Sequence, residues 1–143
     1  MAAKELINMI HPIVAISTYI TFIALALYEH SEFKNMLLSD ADAPHMFVQE
    51  VRRFYPFTPF VGEKVKIEFE WNGCEFIPHG GGDPDNGYRC PGESITVEIM
   101  KATLDFLVNK IDFKVPNQDL SYNMARIPTL PKSGFIINNV ITR

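Results

Sequence analysis

Hydrophobic residues dominate the stretch from Leu6 to Tyr28, 23 positions without Asp, Glu, Lys or Arg. A run of that length predicts one long helix, Lys4 to Glu29, apolar on nearly every face and therefore buried on all sides. Pro12 falls in its first third, where it removes a backbone donor and predicts a kink. Ser31 is placed to cap a short second helix, Glu32 to Leu38, with its acid in the first turn. A small polar loop from Ser39 to Ala43 leads to Pro44, which suits the first turn of a third helix reaching Tyr55. Phe47, Val51, Phe54 and Tyr55 form its apolar stripe, and Pro56 ends it.

The period then shortens from helical to alternating. Val65, Ile67, Phe69 and Trp71 interleave with Lys64, Lys66, Glu68 and Glu70, the pattern of a half-buried strand. Asn72-Gly73 is a strong hairpin signal, and Cys74-Glu75-Phe76 opens a brief return strand. A glycine-rich loop follows from His79 to Gly87. A fourth helix is expected from Pro91 to Ile111, with Ile95, Ile99, Met100, Leu104, Leu107, Val108 and Ile111 on its buried side. From Val115 to Arg143 the chain reads as extended segments joined by a turn at Pro131-Lys132-Ser133-Gly134.

The composition narrows the function. With 143 residues, 47% of them hydrophobic and 21% charged, the chain suits one globular domain with a core of its own. Seventeen acidic against 13 basic residues give a net charge of −4. A phosphate backbone would find no basic surplus, which argues against nucleic acid as a partner. Cys74 and Cys90 lack the close spacing of a zinc finger, and two cysteines suit a reducing, cytoplasmic setting. The first helix is long enough to cross a bilayer. Asn8, His11, Pro12, Ser17, Thr18, Tyr19 and Thr21 make it a poor lipid-facing one, so a buried helix is the preferred reading and a small membrane protein the minor alternative. Lys4 and Glu5 with no small-residue cleavage site do not make a signal peptide.

Cys90 stands between the glycine-rich loop and Pro91. At a helix start the first amides lack internal partners, and a sulfur placed before them meets N–H groups and the positive end of the dipole. That setting favours the metal-binding thiolate form of a cysteine. Glycines in the preceding loop let backbone approach a flat surface that a Cβ would block. Together these suit an axial haem ligand. The plainer reading is a small residue at a helix cap. A nucleophilic pair with His79 lacks any third member in the pattern.

The run Ile77-Pro78-His79-Gly80-Gly81-Gly82 with Gly87-Tyr88-Arg89-Cys90-Pro91-Gly92-Glu93 resembles the haem loop of the cytochrome P-450 superfamily, and more narrowly that of the bacterial fatty-acid peroxygenases. Gln49-Glu50-Val51-Arg52-Arg53-Phe54-Tyr55-Pro56-Phe57 is similar to the K helix with its Glu-x-x-Arg motif. His11-Pro12-Ile13-Val14-Ala15-Ile16-Ser17 resembles the middle of the I helix, and Ala125-Arg126-Ile127-Pro128-Thr129-Leu130-Pro131 the C-terminal hairpin. The resemblance implies a mainly α fold with small β hairpins, the incomplete C-terminal portion of a P-450 carrying the I, J, K and L helices. It divides the chain into I, J and K helices (1–62), a β hairpin (63–78), the cysteine loop (79–93), the L helix (91–111) and a C-terminal hairpin (112–143).

The same resemblance implies haem b with Cys90 as thiolate ligand and metal-binding residue, and Gly82, Gly87, Tyr88, Arg89 and Gly92 beside the cofactor. Fatty acid and hydrogen peroxide would be the substrates, with no redox partner, and His11 and Pro12 would line the catalytic face. Glu50 and Arg53 would form a buried structural network. The sequence departs from the family at four points. It opens at the I helix. Only 37 positions separate Arg53 from Cys90, too few for the sheet segment and meander of the family. His11 replaces an arginine that would grip a carboxylate bidentately, a fork histidine cannot reproduce. Tyr88 replaces a basic residue expected near a haem propionate. A noncatalytic, truncated piece of such an enzyme is the alternative reading.

Overall fold

A computed structural model describes residues 2–58, 79–80 and 89–143. The predicted hairpin at 63–78 and loop residues Gly82, Gly87 and Tyr88 lie outside the described residues. Helix α1 runs from Ala2–Glu29, and helical structure continues through Pro12. Among the described side chains, burial is confined to its second half. Phe22, Ile23, Leu25, Ala26 and Leu27 sit in the core, whereas Ile7 is 62% and Ile13 68% exposed. The expectation of burial on every side is thus corrected for the first half. Even hydropathy along a helix makes burial favourable, but burial happens only where another element packs against it. The whole helix is long and apolar enough to cross a membrane, yet its C-terminal half is committed to this core.

Ser31–Phe33 forms a single 3-10 turn and α2 follows at Lys34–Ser39. Ser31 makes no side-chain cap, and the residue in the N-cap position of the 3-10 turn is His30. Helix α3 spans Ala43–Phe54 with Pro44 in its first turn. Tyr55 is already extended, as expected of a residue before Pro56. Val48, Val51 and Tyr55 face the core, but Phe54 is exposed, one position off the inward stripe. The Tyr55 hydroxyl donates to the Glu29 carboxylate at the end of α1, tying the two helices.

Helix α4, Glu93–Asp105, starts two residues later than Pro91. A turn at Pro91-Gly92 intervenes, and Gly92 is the N-cap. Met100 and Leu104 are fully buried, Val97 nearly so, and Ile95 points outward. The predicted run to Ile111 is also shortened. Phe106–Lys110 widens to a π turn, and β1 begins at Ile111–Lys114. β1 pairs antiparallel with β2, Asn138–Thr142, in the register Ile111 to Thr142 and Asp112 to Ile141. Arg143 secures the junction: its main-chain N–H reaches the Lys110 carbonyl at 2.9 Å and its guanidinium the Val108 carbonyl at 2.6 Å. The turn expected at Pro131–Gly134 forms, closed by the Gly134 N–H on the Pro131 carbonyl at 2.9 Å. Gly134 has φ +71, a conformation that suits glycine.

The core thus lies where α1, α3 and α4 meet, mostly helix on helix, and among the described residues one small two-stranded sheet lies beside it. This packing brings the start of α4 against the middle of α3 and sets the residues around Cys90.

Candidate functional site

Cys90 is a free, exposed thiol. Its main chain is held on both sides. The Cys90 N–H donates to the His79 carbonyl at 2.8 Å, and its own carbonyl accepts the Glu93 N–H at 3.2 Å. The first amide of α4, that of Glu93, therefore meets the carbonyl of Cys90, since two residues separate it from the helix proper. This revises the placement of the sulfur directly before the first helical turn. A Cβ added at Gly92 would lie 3.7 Å from the Cys90 sulfur, ordinary contact, so that glycine leaves the sulfur unobstructed without being required by it.

Arg52 of α3 reaches both ends of this loop and is 4% exposed. Its Nη2 bonds His79 Nδ1 at 2.7 Å and the Glu93 carboxylate, while Nη1 donates to Gln49 Oε1 at 2.5 Å. The other Glu93 oxygen accepts from Arg89, so one carboxylate joins two guanidinium groups across Cys90. These bonds hold the Glu93 carboxyl down from 4.5 to about 2: the Arg89 bond contributes most and Arg52 adds to it, against partial burial. Burial, with Arg52 alongside, lowers His79 from 6.5 to about 4. A neutral His79 ring accepts from Arg52 at Nδ1 and carries its own proton on Nε2.

The arginine that this packing buries is not the one in the Glu-x-x-Arg motif. Glu50 and Arg53 bond each other, Nε to Oε2 at 2.7 Å, on a face where their side chains are 59% and 58% exposed. Burial falls to Arg52 because it lies on the side of α3 that meets α4. Sequence reasoning passed over Arg52, although its place four residues after Val48, a core position, was the available signal. His11 and Pro12 are exposed on the first half of α1, beside the apolar Ile10, Ile13 and Val14. Tyr19, two turns on, is buried, and its ring stacks on that of His79 with centroids 5.3 Å apart. Cys90 also lines a groove of about 430 Å³ between α3 and α4, whose walls include His45, Gln49, Arg89 and Ser94.

No protein-family model matches the chain. Solved structures do. Cytochrome P450SP alpha (CYP152B1) in complex with (R)-ibuprophen is 41% identical and matches with a TM-score of 0.83, over 99% of this chain and 45% of that one. This chain belongs to the cytochrome P-450 family. Cytochrome P450EX alpha (CYP152N1), solved with myristic acid, is 33% identical at a TM-score of 0.82, over 95% of this chain and 43% of its own. A variant of cytochrome P-450 OleT in complex with arachidonic acid is 34% identical at 0.82, over 96% and 42%. The chain spans less than half the length of each. It is a partial P-450 fold, as the four segments of sequence implied.

The donor chemistry at Cys90 fits a haem. One exposed sulfur, fixed at both main-chain groups of its residue, is the kind of soft donor that could hold an iron bound in a ring of nitrogens.

Proposed function

We propose that this chain supplies the thiolate side of a haem-dependent oxidoreductase that hydroxylates fatty acids with hydrogen peroxide. The observation that carries the reading is Cys90: exposed, clamped before α4, and set in a chain similar to CYP152 structures at 33–41% identity. Cys90 would ligate the iron of haem b, with Gly82, Gly87, Tyr88, Arg89 and Gly92 about the cofactor. The bound haem would supply cleavage of the peroxide and oxidation of a C–H bond.

The chain's own residues perform the rest. Cys90 offers its sulfur from a turn that two hydrogen bonds hold still, so little ordering cost remains on binding. The exposed apolar side chains Ile10, Ile13 and Val14 give α1 a water-excluding surface suited to an acyl chain. His11 and Pro12 stand on that same half of α1, where His11 donates one hydrogen bond to the fatty-acid carboxylate in place of a guanidinium fork. Fatty acid as substrate is supported by myristic and arachidonic acid in the similar structures. Peroxide as oxidant, independence of a redox partner and a cytoplasmic location follow from the family resemblance.

The test is haem titration of the whole chain, followed by the spectrum of its reduced, carbon monoxide-bound form. A Soret band at the red-shifted position of thiolate ligation is expected, and Cys90→Ser should abolish it. Hydroxylated myristic acid on adding hydrogen peroxide completes the reading. Absence of haem uptake by the unaltered chain would overturn it.

A further inference from the structure

Two residues grip the main chain of Cys90, and the side chains of those same two residues are gripped by one guanidinium. His79 accepts the Cys90 N–H and offers its ring nitrogen to Arg52, 2.7 Å away. Glu93 donates its N–H to the Cys90 carbonyl and offers its carboxylate to Arg52. Both side-chain bonds are made by the same nitrogen, Nη2, and Gln49 anchors Nη1 from one turn earlier on α3. We infer that Arg52 is the positioning residue of Cys90, setting where the sulfur stands by locking the residues before and after it to α3. The role as haem ligand rests on the function proposed above; the positioning itself does not.

The physical reason lies in the direction of each bond. His79 and Cys90 are eleven positions apart, and closing that loop costs entropy that a single main-chain bond offsets only in part. A buried guanidinium makes charge-assisted bonds of fixed angle, and it can hold an imidazole and a carboxylate at once. The buried Tyr19 ring packs on a face of His79, with centroids 5.3 Å apart, and leaves the imidazole edge to Arg52. Lysine has three donors on one nitrogen but no second nitrogen for Gln49, so it can meet His79 and Glu93 only without the anchor that fixes their direction.

Amide hydrogen exchange on the full chain tests this without haem. In Arg52→Gln, the Cys90 amide should exchange roughly tenfold faster or more, while Met100 and Leu104 inside α4 hold their rates. Arg52→Lys should fall between the two. His79→Phe preserves the ring stack but removes the acceptor for Arg52, and it should loosen Cys90 in the same way if Arg52→Gln does not fold. Unchanged exchange at Cys90 in either variant, or acceleration spread equally over α4, would overturn the inference. With haem bound, Arg52→Gln should retain uptake and lose part of the thiolate-type Soret band. Failure of the unaltered chain to take up haem would count against the proposed function alone, since the exchange result stands apart from it.

Discussion

The Tyr19 ring lies flat on His79, planes 17° from parallel, with Phe57 stacked on the opposite face at 4.5 Å and 12°. Three rings thus join α1, the segment after α3 and the first residue of the cysteine loop. Burial raises the Tyr19 hydroxyl from 10.0 to about 12, opposed by the nearby Arg52 charge, so the ring stays a neutral phenol at ordinary pH. The stack holds a face of the His79 ring while Arg52 holds its edge at Nδ1.

Removing the middle ring should collapse that arrangement. Tyr19→Ala is expected to cost about 3–5 kcal/mol, as for other large aromatic deletions, whereas Tyr19→Phe keeps the stack and most of the stability. Urea unfolding of the two variants gives the comparison; similar losses in both would contradict it.

The two halves of α1 should respond differently to the same substitution. Ile23, wholly buried, should lose about 2–5 kcal/mol on change to Ala. Ile13, 68% exposed, should change stability by no more than about 0.5 kcal/mol. Equal effects at both positions would mean that the first half of α1 is covered in solution.

Acid should weaken the fold in two windows. In the unfolded chain His79 takes up its proton near 6.5, but in the folded one only near 4. The unfolded state therefore binds more protons across that range, and stability falls as pH drops from 6.5 toward 4. The stability contributed by Glu93 is fully present above 4.5 and is lost as pH falls through about 2. Urea midpoints measured between neutral pH and 4 should decline, and more gently in His79→Phe. Identical slopes in the two proteins would remove His79 from the account.

One glutamine organises the C-terminal hairpin. Gln118 donates from Nε2 to the Ile136 carbonyl at 2.8 Å, and its Oε1 accepts the Ile136 N–H at 2.7 Å and the Ser133 hydroxyl at 2.8 Å. Gln118→Ala leaves those main-chain groups to water, since Ile136 is exposed, and should cost about 0.5–1.5 kcal/mol. Faster amide exchange at Ile136, with the β1 amides of Ile111 and Asp112 unaffected, is the local sign to look for.

Much of the architecture was legible along the chain. The helices near Lys4–Glu29 and Pro44–Tyr55 and the turn at Pro131–Gly134 follow from periodicity, proline placement and a glycine at positive φ. Cys90 stood out as a candidate too, because a cysteine between a glycine-rich loop and a helix is a local pattern. What misled was the start of α4, which the Pro91-Gly92 turn delays, and its end, where Val108 and Ile111 leave regular helix for the π turn and β1.

Sequence alone determined which segments become helices, because hydrophobic period and backbone restriction act within a few residues of each other. It also carried the family likeness in four ordered motifs. Only the tertiary structure decided which of two adjacent arginines is buried, since successive helix residues point about 100° apart and a packing partner selects one of them. Arg52 meets Glu93 and His79 for that reason, while Arg53 keeps to Glu50 in solvent. The same distinction divides α1: hydropathy is a property of the residues themselves, but burial belongs to whatever packs against them.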